Sequence, residues 1–282
     1  MNTRFGKRTA HGMLAAVLML MPNVSQSHSA ANQAFDHYIQ LTEARLAGET
    51  ARGGAFLRVD SLASAERDAA YTALRGGELR IEPLATLDHG QAIACSGCMI
   101  HHWAGVVFIP GVTLDQVLRL MQDYDHQAEI YAPEVMRAKT QSHSGDEFHV
   151  LMRFRHTKIM TVVLDTEHEV RYERLDPARA ASRGVSTRVQ EVENPGMTNE
   201  RDLPEGEDNG FLWRINSYWR YWERDGGVYV QCESVSLTRD IPVGLGWIAG
   251  PFVESVPRES LTFTLETTRK HFLAGQHTLE KR

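Results

Sequence analysis

The most constraining feature of this sequence is a pair of long alternating segments between Phe211 and Arg239. In the first segment, one face carries Phe211, Trp213, Ile215, Ser217, Trp219 and Tyr221. Successive side chains of a β-strand point to opposite sides of the sheet, so this mostly aromatic face is predicted to be buried. Asp225-Gly226-Gly227 supplies the residues that a tight turn with positive φ needs, and Val228 to Thr238 forms the returning strand. The segment predicts a long antiparallel hairpin.

Further strands precede this hairpin. Ile100 to Pro110 is typical of a strand, and Thr113 with Gln116 forms a capping box for a helix from Leu114 to Tyr124. Two alternating runs follow at residues 148–154 and 162–172. Their apolar sides carry Phe148, Val150, Met152, Phe154, Val162, Leu164, His168, Val170 and Tyr172. Together these runs predict an antiparallel meander.

The C-terminal part predicts one long amphipathic helix. Pro257 suits the first turn of a helix. An apolar stripe then recurs over four turns and consists of Leu261, Leu265, Thr268 and Phe272. A strand meander that ends in such a helix predicts an α+β fold, in which the helix lies across the concave face of a curved sheet and buries its stripe there.

Residues 1–30 differ from the rest of the chain. Arg4, Lys7 and Arg8 precede an apolar run from Met13 to Met21, and a small polar stretch follows. This order is typical of a secretory signal peptide, and the run is too short to span a bilayer. We therefore expect export across the inner membrane to the periplasm. A buried N-terminal helix is the alternative.

Residues 31–98 are predicted to form a helical extension before the main domain. Phe35, Tyr38, Ile39, Thr42 and Leu46 lie on one helical stripe. Asp60 is expected to cap a second helix, and Gly77 to Pro83 is expected to form a short strand. The formal net charge of the whole chain is −6, with no basic stripe, so we expect no nucleic-acid partner. The sequence has no phosphate-binding loop or glycine-rich dinucleotide turn, and no cofactor is expected.

Three segments carry a resemblance to a known family. They are Gly111 to Tyr124, Trp213 to Trp222 and Glu233 to Arg258. In the order of its predicted elements and the residue pattern of these segments, the chain resembles the START-like superfamily, also called SRPBCC or the polyketide cyclase/dehydrase group. The resemblance implies a helix-grip fold over residues 99–275, with a curved antiparallel sheet wrapped around the C-terminal helix. It also implies a cavity between sheet and helix, which family members use for lipids, sterols, polyketides or hormones, and in which some catalyse cyclisation.

The expected ligand is therefore a hydrophobic, lipid-like small molecule. The residues predicted to line its site are Trp213, Ile215, Ser217, Trp219, His168, Trp247, Leu261 and Leu265. Ser217 and His168 share faces with large apolar residues, where an unpaired polar group costs about 1–3 kcal/mol in a dry core. A pocket would use such groups to orient a ligand. Alternatively, they bond to one another or lie at strand ends.

The segment from Ile241 to Val256 has three glycines and two prolines among large apolar residues. As a mobile loop, it would form a gate or a membrane-touching lip with Trp247 at its tip, which would give the protein a transient membrane contact. As a packed segment, it would be a tight connection between the last strand and the helix.

Cys95-Ser96-Gly97-Cys98 is the most conspicuous local cluster. In an oxidising compartment the pair predicts a disulfide that pins the N-terminal extension to the first strand. A zinc site that uses Cys95, Cys98 and His101 (or His102) is one alternative, and a thioredoxin-type redox pair is another. Met99 occupies the position where a haem c attachment needs histidine, so that class is excluded.

An enzyme of this fold would need an acid or base inside the cavity. The candidates are Asp165, Glu167, His168, Glu169, Glu233, Arg214 and Arg239. His168 is the best of them, because it shares the apolar face of its strand and titrates near neutrality. Three functions therefore stay open: a carrier or sensor of an apolar ligand, a cyclase/dehydrase-type enzyme, and an envelope interaction protein.

Overall fold

The structure is a computed structural model, which describes the backbone of residues 24–51, 54–158, 160–241 and 246–279. Side chains are described for residues 29–50, 54–158, 160–241 and 255–275. The predicted signal peptide at residues 1–30 therefore lies almost wholly outside the described residues. Among the described helices, none combines the length and the apolar composition that membrane spanning requires.

Within the described residues, the strands form one large sheet and a small ribbon. The strands are β1 (Arg80–Pro83), β2 (Leu87–Asp88), β3 (Gln91–Ala92), β4 (Cys98–Pro110), β5 (Val135–Ser144), β6 (Glu147–Thr157), β7 (Thr161–Asp176), β8 (Arg179–Glu193), β9 (Arg201–Asp202), β10 (Arg214–Arg224) and β11 (Gly227–Arg239). The large sheet is antiparallel and has the order β1-β4-β11-β10-β8-β7-β6-β5, with β9 paired to β8. The ribbon pairs β2 with β3.

Helices cover both faces of the large sheet. They are α1 (Val24–Ala51), α2 (Ser64–Arg75), α3 (Leu114–Gln122), the single turn α4 (Gln127–Ile130) and α5 (Gly246–Leu279). Short 3-10 turns lie at Arg58–Ser61 and Tyr124–His126. We call the side that α5 covers the inner face, and the side that α1 and α2 cover the outer face.

Strand alternation explains this two-sided packing. On β4, Val107 belongs to the cluster that contains Leu261 and Leu265 of α5, whereas Val106 packs with α2. On β11, Val230 belongs to the inner cluster and Val235 packs with α1. Each central strand therefore buries both of its sides, and β11 is buried along almost its whole length.

Two local devices in the sequence behave as predicted. Thr113 and Gln116 form a reciprocal capping box at the start of α3. The β10–β11 turn has φ 57° at Asp225 and 76° at Gly226, the left-handed conformation that a two-residue hairpin turn requires. Gly105 has a different role, because a Cβ at this position would lie 2.5 Å from Cδ1 of Leu265. Its bare backbone lets α5 approach β4 closely.

The α+β, helix-grip prediction is confirmed, with three differences in detail. First, α5 begins at Gly246, so most of the segment Ile241 to Val256 is helical rather than a loop. Second, the short strand expected between Gly77 and Pro83 is present as β1, but it pairs with β4 as an edge strand of the large sheet, so the segment before residue 99 contributes to the sheet. Third, Asp60 does not cap α2; its carboxylate accepts the backbone N–H of Leu57 in the preceding 3-10 turn.

Candidate functional site

The inner face of the sheet is divided into a filled half and an open half. In the filled half, tyrosine rings occupy the space beneath α5. Tyr124 and Tyr172 place their hydroxyl oxygens 2.9 Å apart, and the Tyr131 hydroxyl lies 2.8 Å from Oγ1 of Thr268. Burial raises the pKa of Tyr124 to about 12 and that of Tyr131 likewise to about 12. This half is a packed core, with its polar groups satisfied by one another.

The open half retains accessible side chains on the same face. We call this region the inner groove, and it is lined by Trp103, His168, Val170, Ile215, Ser217 and Trp219, all half-buried. Large apolar side chains in the centre of a sheet are normally covered completely, as Tyr221 is in the filled half. Their partial exposure shows that this part of the inner face is incompletely covered.

The floor of the inner groove is made of small residues. On β8, the inner-facing positions are Ala180, Ser182, Gly184 and Ser186, and on β11 they include Ser234 and Ser236. Ser217 of β10 pairs with Gly184, which in turn pairs with Val170 of β7. We call this strip of small residues, which apart from Ser234 are buried beneath the larger side chains of the neighbouring strands, the trough.

His168 stands on the wall of this trough. Its Nε2 lies 2.8 Å from Oγ1 of Thr166, and its ring meets Phe154 edge to face at 6.3 Å between centroids. Part of the ring is accessible, yet burial lowers the pKa of His168 to about 4. The imidazole is therefore neutral at physiological pH, and it can donate or accept a hydrogen bond.

A second group of titratable residues lies where the start of α5 meets the β6–β7 hairpin. His156 shares the inner face with Phe154, and its Nδ1 lies 3.9 Å from the carboxylate of Glu134. Burial and the nearby charge of Glu259 raise the pKa of Glu134 to about 7, and burial lowers the pKa of His156. Lys158 donates to Glu259 at 2.6 Å and to Ser255 at 2.7 Å. We call these four side chains, of Glu134, His156, Lys158 and Glu259, the groove-end cluster.

The sequence analysis did not single out the groove-end cluster as a site. His156 had a usable signal, because it continues the inner-facing alternation of Phe154. Glu134 had none, since it follows the α4 turn and reaches His156 only through the tertiary fold.

The sequence and the structure were compared with known proteins. No family model matches the sequence, and no curated protein matches it. Among solved structures, a STAR-related lipid transfer protein from Xanthomonas axonopodis is similar, with 18% identity over 70% of this chain and 98% of that chain at a TM-score of 0.42. The Zhui aromatase/cyclase from Streptomyces sp. R1128 is 14% identical over 62% of this chain and 94% of that chain, at 0.40. Human STARD10 is 8% identical over 79% and 86%, at 0.42.

The order of the elements decides the classification. A strand, short helices and a long antiparallel meander are followed by a C-terminal helix that packs on the inner face. The chain has a START-like fold. In this START-like domain, the helices α1 and α2 are an addition on the outer face, opposite the gripped helix.

The START-like architecture brings together four of the eight predicted ligand-binding residues. Ile215, Ser217, Trp219 and His168 all lie in the inner groove. Leu261 and Leu265 are fully buried where α5 packs on β4, so they hold the helix rather than line open space. The side chain of Trp247 lies outside the described residues, and its role as a gate stays a prediction.

Trp213 is a correction to the predicted site. It precedes the first residue of β10 and packs against the cluster that joins α1 to the outer face. Its Nε1 donates to Asp208 at 2.8 Å, and the Arg239 guanidinium lies 5.9 Å from the ring centroid. The alternation of β10 does not extend back to this residue, because the chain enters the strand only at Arg214.

The other catalytic candidates do not reach the inner groove. Asp165 accepts two hydrogen bonds from Arg153, and Glu167 accepts one from Arg188, both on the outward side of the sheet. Glu169 faces the same way, with His149 3.8 Å from it. Arg214 pairs with Asp36 of α1 at 2.6 Å, and Arg239 donates to the Asp208 carbonyl. These charges stabilise the outer surface, and His168 alone of the seven candidates lines the groove.

Glu233, the remaining candidate, belongs to a buried polar network under α1. His102 Nε2 lies 2.8 Å from the Glu233 carboxylate, and His102 Nδ1 lies 2.9 Å from the Tyr38 hydroxyl. Arg45 also donates to Glu233. Burial alone would raise the pKa of Glu233, but the hydrogen bond with His102 and the Arg45 charge outweigh it and lower the pKa. The network attaches α1 to the sheet.

The cysteine cluster has a structural role. Cys95 and Cys98 form a disulfide, as predicted, and both pack against the α1 cluster. His101 faces the opposite side of β4, with Nε2 3.0 Å from Oγ1 of Thr238. The two sulfurs are joined to each other and His101 lies on the other face of the sheet, so this arrangement does not bring Cys95, Cys98 and His101 together as metal ligands. Within the described residues, no group of three or more His, Cys, Asp or Glu side chains could hold a metal.

Two further spaces lie outside the inner groove. A cavity of about 10 Å³ beside β1 and β4 is lined by Arg58, Glu82 and Gln231, among others, and is just large enough for one water. An open depression of about 400 Å³ lies at the β5–β6 turn and is lined mainly by charged residues such as Glu147 and Arg171. The first is far too small for a hydrophobic ligand, and the second has a charged lining that does not suit one.

Proposed function

We propose that this protein binds a hydrophobic small molecule in the inner groove, between the sheet and α5. The observation that carries the proposal is the half-exposed apolar lining above a floor of small residues. Val170, Ile215 and Trp219 would each lose contact with water when a ligand fills the trough, and burial of apolar area contributes roughly 25 cal/mol per Å². Half-exposed apolar side chains in the middle of a sheet form a surface that a bound apolar molecule would cover.

The second part of the proposal is export. We infer that residues 1–30 direct the chain to the periplasm, where the Cys95–Cys98 disulfide is stable. A fusion of the whole chain to alkaline phosphatase, which is active only outside the cytoplasm, should be active in intact cells. The same fusion without Met13 to Met21 should be inactive, and activity in both fusions would reject the signal peptide.

The ligand-binding proposal is tested with a groove-filling variant. Ser217→Trp places a large ring over the floor, and Ser142→Trp, at an exposed position of β5, is the matched control. Nile red, an uncharged apolar dye, should bind the wild-type protein saturably with a fluorescence increase. Ser217→Trp should weaken binding by at least about tenfold, which is 1.4 kcal/mol. Ser142→Trp should leave it unchanged.

Two outcomes would reject the proposal. One is the absence of saturable Nile red binding by a wild-type protein that melts cooperatively. The other is a Nile red affinity of Ser217→Trp equal to that of Ser142→Trp and the wild-type protein, which would mean that the dye binds elsewhere. Circular dichroism of each variant distinguishes a filled groove from an unfolded chain.

A specific observation favours one second function, an acid–base enzyme of the cyclase/dehydrase kind in the same groove. Glu134 has a pKa raised to about 7, and the neutral His168 lies on the groove wall. A carboxyl group that titrates near neutrality can donate or accept a proton at working pH. Glu134→Gln should then abolish turnover of a bound polyketide analogue while leaving Nile red affinity unchanged. Binding without any conversion would leave the carrier function.

A further inference from the structure

We propose that the inner groove selects an uncharged ligand that carries a hydroxyl or carbonyl group, and discriminates against anionic amphiphiles. This inference rests on the proposed function and concerns the chemical class of the ligand. It follows from the kind of polar group that the groove presents and from the charges at its end.

The groove presents neutral hydrogen-bonding groups on two of its walls. His168 uses Nε2 for Thr166, and within the described residues its Nδ1 has no hydrogen-bond partner. The Ser217 hydroxyl, across β8 on the opposite wall, likewise has no hydrogen-bond partner among the described side chains and backbone. Ser186 on the floor already accepts the Ile215 N–H. Two neutral groups that face the same trough can each satisfy a hydroxyl or carbonyl oxygen without compensating a charge.

The strand cations that flank the groove are turned away from it. Arg153 pairs with Asp165, Arg183 with Glu43 and Arg220 with Glu49, all on the outward side of the sheet. The stretch between Arg239 and Arg258, which contains the start of α5, has no lysine or arginine in its sequence. A ligand carboxylate or phosphate would therefore lose its water without gaining a counter-charge, which is strongly unfavourable.

The groove-end cluster adds to this discrimination. Lys158, the cation of the cluster, is already paired with Glu259 and Ser255. Glu134 and Glu259 bring two carboxyl groups to the same end, and a third acid would meet like charge there. The cluster is therefore a poor site for an anionic head group at pH 7.

The test uses three probes with one tail: 12-(1-pyrenyl)dodecanol, the corresponding dodecanoic acid and the corresponding dodecylamine, titrated at pH 7.5 against the full chain. The alcohol should bind at least about tenfold more tightly than the acid, and more tightly than the amine. His168→Phe should lower the alcohol affinity about fivefold, the value of one hydrogen bond, and leave the acid affinity unchanged. His149→Phe, at an exposed histidine on the outward side of β6, is the matched control and should change neither.

The outcomes separate the two proposals. Tightest binding by the acid or the amine, or equal binding of all three probes, overturns the neutral-ligand inference and leaves the groove as a hydrophobic site. Binding of none of the probes, together with failure of Nile red, rejects the groove itself. A His168→Phe variant that keeps the full preference for the alcohol would show that the ring does not contribute to selection.

Discussion

Gly184 lies directly beneath Ser217 on the floor of the inner groove. A Cβ at position 184 would be 2.8 Å from the Ser217 Oγ and 3.6 Å from Cγ2 of Val170. Because Gly184 of β8 has no side chain, the Ser217 hydroxyl can occupy the space next to it. The two residues are paired across the β8–β10 ladder. The pair shows how a small residue on one strand determines the shape of the surface on the next.

This relationship predicts a coupled effect of two substitutions. Gly184→Ala should destabilise the protein by about 1–2 kcal/mol, because Ser217 must leave its position to make room. In a Ser217→Ala background the obstructing oxygen is gone, and the same substitution should cost about 1 kcal/mol less. Urea unfolding of the four proteins measures the coupling. Strictly additive values would contradict the close approach.

The buried polar network under α1 predicts that the attachment of this helix to the sheet depends on pH. The pKa of Glu233 is lowered from its ordinary value of 4.5, so its charge stabilises the folded state at neutral pH. That stabilisation is lost as the pH falls below about 4.5 and through the lowered folded pKa. Glu233→Gln should cost about 3 kcal/mol at pH 7, since it leaves Arg45 without its buried partner, and the penalty should shrink toward pH 3.

A surface pair supplies the control for this measurement. Glu266 lies one helical turn from Lys270, and their side chains are 2.9 Å apart on the exposed side of α5. Glu266→Gln should change the free energy of unfolding by less than about 0.5 kcal/mol. If Glu233→Gln were equally mild at pH 7, the buried network would not hold α1 to the sheet.

The burial of His168 predicts a second pH dependence of stability, because the fold keeps this imidazole neutral. Its pKa falls from 6.5 to about 4 on folding, so the unfolded chain takes up a proton before the folded one does. Stability attributable to His168 is complete above pH 6.5 and declines as the pH drops toward 4, by about 2 kcal/mol between pH 7 and pH 5. His168→Phe should lose less stability over that interval than the wild-type protein.

Direct titration by NMR gives an independent check on His168. The Cε1 proton of its ring should show no midpoint between pH 5 and pH 8. A midpoint near 6.5 for His168 would mean that its ring is solvated and does not line an enclosed groove.

The disulfide predicts a defined thiol count and a modest contribution to stability. Cys95 and Cys98 close a very short loop, and Cys232 is free and buried. Thiol titration in denaturant should therefore give one group per chain before reduction and three after it. Loop-closure entropy for so short a loop predicts a loss of about 2 kcal/mol in a Cys95→Ser, Cys98→Ser variant. Three thiols in the oxidised protein would exclude the bond.

Much of the inner groove can be predicted from the period-two alternation of side chains along the strands. Ile215, Ser217 and Trp219 recur at every second position, and one correct assignment of the inner face places all three. His168 followed in the same way from Val170 and Tyr172. The carboxylates Asp165, Glu167 and Glu169 occupy the alternate positions of that strand, so their outward direction is part of the same pattern.

Trp213 is the residue for which this alternation predicts the wrong face of the sheet. Period-two alternation holds only while the chain stays in the sheet, and Trp213 lies one residue before β10, where its indole turns to Asp208 and the outer cluster. No feature of the neighbouring sequence marks that boundary, because Phe211 and Trp213 continue the pattern without a break. The position of a strand end depends on the pairing partner.

The β10–β11 hairpin, α3 and α5 can be predicted from local sequence alone. Their signals are alternating side chains, a capping box and a four-turn apolar stripe, and each signal lies within a short stretch of the chain. Pairs such as Tyr38 with His102 and Glu134 with His156 do not follow from it, because their members are far apart in the chain and meet only when strand register and helix packing are complete. The hydrophobic effect is non-directional. An apolar stripe in the sequence therefore predicts that a helix face will be buried, but it does not identify the element that packs against it. The folded arrangement therefore decided which half of the inner face is packed solid and which half stays open.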